Sequence, residues 1–434
     1  MKFYCYTLGC KVNQYETQAM EQLLTVLGAE AGNENDFDLC IVNTCTVTAV
    51  ADRKNRSMIR HLRREHPEAV LGVCGCYAQL EPSQVAALGV DVVSGSAGRE
   101  DFVQRLLQTW RERSGEPTIV VDEALRRRDF ERLPAGGLAA RTRAMLKVQD
   151  GCTNFCSYCI IPYARGPVRS LPVEEAAAQA AQLAAEGYLE IVVTGIEVAS
   201  WGQELPGRPR FDSLIAAVCA AAPGVRIRLG SLEPRVIDPK FCQTLSRFDN
   251  FCPQFHLSLQ SGSDTVLKRM RRKYDTARYM ESVSLLREYF PGCALTTDLI
   301  VGFPGETDAE FTQSLDFARH IGFAAMHVFP YSRRPGTPAA AMPGQLSAAQ
   351  KAERAAAAGA VANELRARFN RALLGTVQQV LFEQPEGDCF TGHAPCGVKV
   401  YAPGEALHNR LRDVCITALH PDGVFGTLIA PEEP

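Results

Sequence analysis

No run of about eighteen consecutive apolar residues occurs in this chain, so the sequence offers no membrane-spanning helix. Residues 1–27 scatter charged and polar positions among apolar ones and lack the apolar core of an export signal, which sets the expectation of a reducing, cytoplasmic compartment and no membrane partner. Strong net charge is missing too. The 46 Lys/Arg and 49 Asp/Glu leave −3 over 434 residues, so any nucleic-acid-binding surface has to be local rather than a property of the whole molecule. Hydrophobic content of 46% and charged content of 22% are ordinary for a globular chain, and the length allows two or three domains, each with its own core. Cysteine is what the chain does not lack. Without export, its sixteen cysteines read as thiols and metal ligands rather than as a disulfide framework.

Three of them share one short stretch, residues 151–166 (GCTNFCSYCIIPYARG), with Cys152, Cys156 and Cys159 separated by three and then two residues and Tyr158 just before the third. Three thiolates on one loop can hold three irons of a cubane cluster and leave the fourth open. Zinc is the rival, but zinc knuckles use two ligand pairs, and no second CxxC or HxxxH follows; a purely structural cysteine cluster is the other alternative. The spacing and the aromatic residue resemble the signature of the radical S-adenosylmethionine enzymes. That resemblance implies an open iron that takes the amino and carboxylate groups of S-adenosylmethionine and breaks its C–S bond with an electron from the cluster.

Upstream, residues 1–143 alternate strand and helix: strands near 2–7, 38–43, 70–74 and 90–94, and helices near 12–27, 47–65 and 100–113. This pattern predicts an open parallel α/β sheet covered on both faces. Cys5, Cys40 and Cys74 fall inside strand runs, where a thiol packs as a small hydrophobe. Cys10, Cys45 and Cys76 each lie just past a strand's carboxyl end, the edge where open α/β sheets bind ligands. They are either three thiolates for a second cluster or inert loop cysteines; spacing alone leaves both open. Residues 52–66 carry six Lys/Arg against two acids, either a solvated helix face or a phosphate-binding one. Residues 114–143 read as a linker.

Residues 144–372 repeat strand-then-helix pairs, with strands near 144–148, 189–194, 225–229, 254–259, 293–301 and 324–330 and helices near 173–186, 211–222, 238–247, 275–289, 307–321 and 347–372. Six βα units predict an open, partial (β/α) barrel, with active-site groups at the carboxyl ends of the strands. Thr194, Gly195, Glu233, Gln260 and Ser261 cluster at those ends, and Asp298 lies in the fifth strand. Residues 268–273 (KRMRRK) put five cations in six positions, a solvated loop or a phosphate site at the barrel mouth. From Gly375 the period becomes alternating, with strands near 376–384, 388–394, 397–401, 410–419 and 423–429, which predicts a small β-barrel over 373–434. Three Lys/Arg against eight Asp/Glu make that segment −5, a poor electrostatic anchor for RNA. Cys389, Cys396 and Cys415 read as structural.

LGCKVNQYET (8–17), NTCTVTAVADRK (43–54) and GCYAQ (75–79), joined to the radical loop, resemble the methylthiotransferase family, and within it the enzymes that act on threonylcarbamoyladenosine in tRNA. The resemblance implies that Cys10, Cys45 and Cys76 bind an auxiliary 4Fe–4S cluster beside the one on Cys152, Cys156 and Cys159. Cys74 departs from the pattern expected there, and the GCYAQ context favours Cys76 as the ligand. Thr194 and Gly195 would meet the methionine part of S-adenosylmethionine, Gln260 and its neighbours the ribose, and Phe329 with Tyr158 the adenine. Glu233 and Asp298 are further candidates. The position of the C-terminal barrel resembles the RNA-binding TRAM domain. The implied reaction replaces the hydrogen on carbon 2 of the hypermodified adenosine next to the anticodon by a methylthio group, using a 5′-deoxyadenosyl radical and sulfur from the auxiliary cluster. An unactivated C–H bond explains the need for a radical, since acid–base groups of ordinary pKa cannot break it. An electron donor and a sulfur source, both unidentified, complete the implied partners. The alternatives are methylthiolation of isopentenyladenosine in tRNA, methylthiolation of an aspartate in a small-subunit ribosomal protein, and a non-catalytic iron–sulfur RNA-binding protein.

Overall fold

The runs LCIVNT and VLGVCG are buried along their whole length, as strands covered on both faces must be. In the computed structural model, which describes residues 1–113, 116–137 and 142–429, they are the central strands of a six-stranded parallel sheet. Its strands are β1 (Lys2–Thr7), β2 (Glu30–Ala31), β3 (Leu39–Thr44), β4 (Val70–Gly75), β5 (Val92–Ser94) and β6 (Thr118–Val120), in the order β2-β1-β3-β4-β5-β6. Helices α1 (Lys11–Val26), α2 (Ala49–Glu65), α3 (Cys76–Leu80), α4 (Pro82–Ala86) and α5 (Arg99–Glu112) cover it. The linker expected over 114–143 is thus part sheet, because β6 pairs with β5 through Val92 and Thr118. Three residues are too few to show a strand period. Residues 114–115 and 138–141 of that expected linker, and Glu432 and Glu433 of the acidic tail, lie outside the described residues.

The second domain holds β7 (Arg143–Lys147), β8 (Gln149–Asp150), β9 (Arg169–Ser170), β10 (Glu190–Thr194), β11 (Arg226–Leu229), β12 (Ser231–Leu232), β13 (Gln254–Leu257), β14 (Ala294–Val301) and β15 (Ala325–Pro330). Its helices are α6 (Ile161–Arg165), α7 (Val173–Ala185), α8 (Phe211–Ala221), α9 (Pro239–Leu245), α10 (Asp264–Arg269), α11 (Thr276–Tyr289), α12 (Asp308–Ile321), α13 (Pro338–Ala341) and α14 (Ala348–Ala372). The six expected barrel strands are present, but in two pieces. β11-β10-β7 and β12-β13-β14-β15 are separate parallel sheets that meet at a bridge between Ile227 and Phe251. Along each strand one set of side chains, such as Leu146, Ile191, Val193, Ile227, Leu229, Leu257 and Leu299, packs outward on the helices in the largest apolar core. The alternate set, turned to the barrel interior by the period-two pleat, is polar: Lys147, Glu190, Thr194, Arg226, Arg228, His256 and Asp298.

β16 (Val377–Glu386), β17 (Cys389–His393), β18 (Lys399–Ala402), β19 (Arg410–His420) and β20 (Gly423–Leu428) close the small barrel expected at the C-terminus, in the order β16-β17-β18-β20-β19. It seals the floor of the larger barrel. Arg228 donates to the carbonyls of Pro395 (2.9 Å) and Ala394 (3.2 Å), Arg226 to that of His393 (3.1 Å), and Arg143 pairs with Glu383 (3.1 Å). The open end is therefore the one at the carboxyl ends of the strands.

The N-terminal domain sits at that open end, fixed by ion pairs with no solvent exposure. Glu16 of α1 accepts from Arg99 of α5 (2.8 Å), from Lys147 of β7 (3.0 Å) and from Arg165 of α6. Asp150 completes the cluster, pairing with Lys147 (2.7 Å), Arg165 (3.5 Å) and Arg169 (3.4 Å). A second weld joins Arg334 to Asp52 (2.6 Å) and Thr46 (2.7 Å). Burial alone would raise the Glu16 pKa, but Arg165, Arg99 and Lys147 hold it well below the usual carboxylate range. A group depressed in this way stabilises fully above its unfolded pKa of about 4.3 and loses that contribution as pH falls from there toward the native value. Glu16→Ala leaves three buried cations without their shared anion and should cost about 3–5 kcal/mol, measured by urea denaturation at neutral pH. The loss of stability below pH about 4 should be smaller in that variant than in the parent; equal acid sensitivity would remove Glu16 from this account.

Candidate active site

The cysteine loop leaves β8 and is pinned at both ends. Cys152 donates its backbone N–H to Gly166 (2.9 Å), Cys159 to Cys156 (3.0 Å), and Ser157 bonds Met270 and Arg269 through its backbone (3.0 Å) and hydroxyl (2.8 Å). Phe155 takes a left-handed conformation (φ 47°) that turns the chain between the first two cysteines. The thiols of Cys152, Cys156 and Cys159 lie within mutual electrostatic reach, and burial raises Cys159 to about 12 and Cys152 higher. A guanidinium supplies the opposing charge. Arg272, from the KRMRRK run, donates to Cys156 Sγ (3.2 Å), and its Nε bonds the Tyr274 hydroxyl (3.0 Å). Arg269 of the same run pairs with Glu310 (2.8 Å), so the run splits, and only Lys268, Arg271 and Lys273 face solvent. Among the described residues no three His, Cys, Asp or Glu side chains converge tightly enough for a single metal ion, the arrangement a zinc knuckle needs. A cubane is wider, and three spaced thiols under a guanidinium suit its ligation.

Cys10, Cys45 and Cys76 converge on the same mouth. Cys10 is the N-cap of α1, Cys45 follows β3, and Cys76 opens α3. Gly75, at φ +100°, makes that last placement possible: a Cβ there would stand 2.4 Å from the Thr44 carbonyl oxygen. The Cys45 thiol, raised to about 12 by burial, feels Cys76 and Cys10, and Cys76 in turn feels Cys10. Arg165, the partner of Glu16, turns its Nε to Cys76 Sγ (3.2 Å). Cys74 instead packs in the apolar core of the sheet with Phe3 and Leu106. Cys159 lies within electrostatic reach of Cys76, so the two cysteine sets face each other across the domain boundary.

The strand-end residues ring the gap between them. Thr194 is buried at the end of β10, and Gly195 lies so close to Gln149 that a Cβ would meet its Oε1 at 2.8 Å. The same Gln149 oxygen accepts from the Glu197 N–H (2.8 Å), while its amide group donates to the Asp150 (2.9 Å) and Gly151 (2.6 Å) carbonyls, fixing this loop to the base of the cysteine loop. Glu233 is buried, paired with Arg235 and 3.4 Å from Asn154 Nδ2. Gln260 adopts a left-handed conformation (φ 65°), and its backbone bridges Asp298 and Ile300. Asp298 stands 3.4 Å from His256 Nε2. Tyr158 edges onto Phe303 in a cluster with Met270 and Tyr331, whereas Phe329 is exposed on β15, and among the described residues the two rings make no contact.

Sequence reasoning stopped one step short of Glu197, two residues past Gly195. This residue is half-buried, with its Oε2 3.5 Å from Asn154 Nδ2 on the cysteine loop and its fully buried Oε1 without a hydrogen-bond partner. Burial, then the neighbouring Glu233, raise its pKa to about 7. An unpartnered buried carboxylate beside a second one calls for a cation, and the α-ammonium of S-adenosylmethionine fits that need. The TGIE string carried a signal, a charged residue at a strand end where burial makes it expensive.

A model of the radical SAM superfamily matches residues 146–318, and one of the uncharacterized protein family UPF0004 matches residues 2–95. Solved structures of the radical S-adenosylmethionine methyltransferase TsrM from Kitasatospora setae share the fold: one at TM-score 0.54 and 17% identity covers 78% of this chain and 74% of that one. The fold and the cysteine loop thus define a radical S-adenosylmethionine protein, which implies S-adenosylmethionine and a 4Fe–4S cluster. At 40% identity over 92% of this chain and 90% of the relative, it is similar to the threonylcarbamoyladenosine tRNA methylthiotransferase MtaB of Bacillus subtilis (strain 168). It is 35% identical, over 87% of the chain, to the protein of that name from Thermotoga maritima, and 37% identical, over 88%, to a tRNA-2-methylthio-N(6)-dimethylallyladenosine synthase of Desulfosudis oleivorans. The chain belongs to the radical S-adenosylmethionine methylthiotransferase family.

Glu197 gives a test with a sign. Its raised pKa leaves it largely protonated below pH about 7 in the free protein. A bound ammonium favours the carboxylate, so the affinity for S-adenosylmethionine should rise as pH rises through about 7. Glu197→Gln should weaken binding by about tenfold or more and flatten that dependence, read by isothermal titration calorimetry of the reconstituted protein. An unchanged pH profile in the variant would detach Glu197 from the cofactor.

Proposed function

We propose that the protein places a methylthio group on carbon 2 of N6-threonylcarbamoyladenosine next to the anticodon of tRNA. The observation that carries this reading is the contact of Arg165, on the helix that follows the radical loop, with Cys76 Sγ at 3.2 Å, which brings a second trio of thiols to the radical loop. Cys152, Cys156 and Cys159 would hold the cluster that binds S-adenosylmethionine, and Cys10, Cys45 and Cys76 a second one at the same mouth. When bound, these groups supply reductive cleavage of the cofactor's C–S bond and a sulfur atom for transfer. The chain's own residues position the reactants. Arg272 and Arg165 each place a guanidinium on one sulfur of a trio, where it would offset the negative charge of a ligated cluster. Glu197 takes the cofactor's ammonium, and Gln149 locks its loop to the cysteine loop. The buried ion pairs around Glu16 keep the two trios at a fixed separation, as atom transfer between them requires.

RNA binding has local support despite the net charge. Along α2, Arg53, Lys54, Arg60 and Arg64 line an open groove of about 790 Å³ together with Tyr6 of β1 and Leu8, which follows it on the way to Cys10. A groove of this kind neutralises phosphates and lets the backbone of a loop run toward the mouth. The small barrel contributes less, since from Gly375 onward three Lys/Arg stand against eight Asp/Glu.

Anaerobic reconstitution should give about eight irons per chain, two cubanes of four. Replacing Cys10, Cys45 and Cys76 together by Ala should reduce this to about four while 5′-deoxyadenosine formation persists and methylthio product is lost. A parent plateau near four irons would remove the second cluster. Mass spectrometry of tRNA nucleosides from a deletion strain distinguishes the substrates. Loss of the methylthio group from threonylcarbamoyladenosine alone is expected. Loss from the isopentenyl nucleoside, or intact tRNA with an unmodified ribosomal protein, transfers the activity to the alternative substrates.

A further inference from the structure

Among the described residues only three aromatic side chains are exposed: Phe155 (38%), Tyr163 (37%) and Phe329 (43%). All three stand on segments at the barrel mouth, namely the cysteine loop, α6 and the end of β15. Phe155 and Tyr163 are in contact edge to face, with ring centroids 5.6 Å apart and planes at 77°. Rings left in water forgo the burial that aromatic side chains usually supply, so a paired set beside a site points to something that covers it. Tyr163 also forms one wall of an open pocket of about 670 Å³, whose other walls include Arg333, Pro335, Thr337 and Pro338. Arg333 is exposed and makes no ion pair among the described residues. Its chain neighbours are tied to the first turn of α2: the Ser332 hydroxyl accepts from the Ala49 N–H (3.0 Å), and Arg334 pairs with Asp52 (2.6 Å). Arg333 thus joins the aromatic pocket to the helix whose Arg53, Lys54, Arg60 and Arg64 line the basic groove.

We propose that this pocket is a stacking subsite for the unpaired base next to the target adenosine in the RNA loop, with Tyr163 as its platform and Arg333 on the adjoining phosphate. The inference rests on the RNA reading of the site. A base whose carbon has to enter the gap between the two trios leaves its own stack, and its neighbour in the strand loses a partner. Tyr163 lies two residues before Arg165, whose Nε meets Cys76 Sγ, so a base held on its ring stands beside that gap. An aromatic platform accepts any base, because every base has a π-face, while a cation beside it tracks the backbone. A second copy of this chain could cover the same rings, but it would also close the mouth through which the loop has to enter.

The test uses the full chain with its clusters reconstituted and anticodon stem-loops carrying threonylcarbamoyladenosine, either intact or with an abasic site immediately 5′ or 3′ of that nucleoside. Equilibrium binding is read by fluorescence anisotropy. The parent should bind one of the two abasic loops about fivefold to a hundredfold more weakly than the intact loop, the range of one base–aromatic stack. Tyr163→Ala should weaken the intact loop by a similar factor and bind that abasic loop as the parent does. Tyr163→Phe, which keeps the ring, should match the parent on both. Arg333→Ala should weaken all three loops alike and lower the salt dependence by about one phosphate contact. A parent that binds intact and abasic loops equally overturns the proposal without any variant and leaves the RNA reading standing, whereas one that binds no stem-loop overturns both. A Tyr163→Ala loss of the same size on intact and abasic loops assigns the residue to folding and overturns it too. So does a Tyr163→Ala chain with parental RNA affinity and a changed sedimentation coefficient, which gives the rings to a second copy.

Discussion

One buried carboxylate, Glu16, organises the junction on which both cysteine trios depend. It gathers cations from three separate elements, Arg99 of α5, Lys147 of β7 and Arg165 of α6, all without solvent exposure. With Asp150 and Arg169 the cluster holds four cations and two anions. Such a surplus of positive charge in a dry interior is unfavourable unless further negative charge lies at hand. Glu131, within electrostatic reach of Arg99, Lys147 and Arg169, supplies part of it. Arg165 turns its Nε to Cys76 Sγ, so the weld and the site are parts of one electrostatic unit.

The barrel follows the same division. Its outward positions are apolar and make the largest core, while its interior is lined by Lys147, Glu190, Arg226, Arg228 and Asp298. A polar lumen is stable here because the floor is closed by carbonyls of the small barrel, which satisfy Arg226 and Arg228, and the roof by ion pairs from the N-terminal domain. The C-terminal barrel thus has a structural task that its acidic composition does not oppose.

Much of this was legible in the sequence. The strands of both α/β domains show as buried apolar runs and their helices as the stretches between, so observed and expected boundaries differ by a residue or two, as for Ala49–Glu65 against 47–65. The five alternating segments after Gly375 form the closed barrel. The convergence of Cys10, Cys45 and Cys76 on one sheet edge was legible from their positions after strands, whereas those positions alone left a second cluster and inert loop cysteines both open. What remained hidden depends on long-range partners. The three-residue β6 has no period of its own. Arg165, Arg272 and Glu197 acquire roles only through residues 89, 116 and 36 positions away in the chain. The KRMRRK run looks uniform in sequence, yet Arg269 and Arg272 are consumed by Glu310 and Cys156 while their neighbours face water.

The two guanidiniums also explain why the domains cannot be treated as separable parts. Arg272 comes from the barrel and serves the barrel's own Cys156, at 3.2 Å. Arg165 comes from the barrel as well, but at the same distance it serves Cys76 of the other domain. The N-terminal trio thus has a polar partner that its own domain does not provide, delivered by the short helix that follows the cysteine loop. Any shift of that helix moves one end of the loop through the Gly166–Cys152 hydrogen bond, and moves the guanidinium on Cys76 with it. The separation of the two trios is therefore set by α6, a five-residue helix held by Glu16 and Asp150.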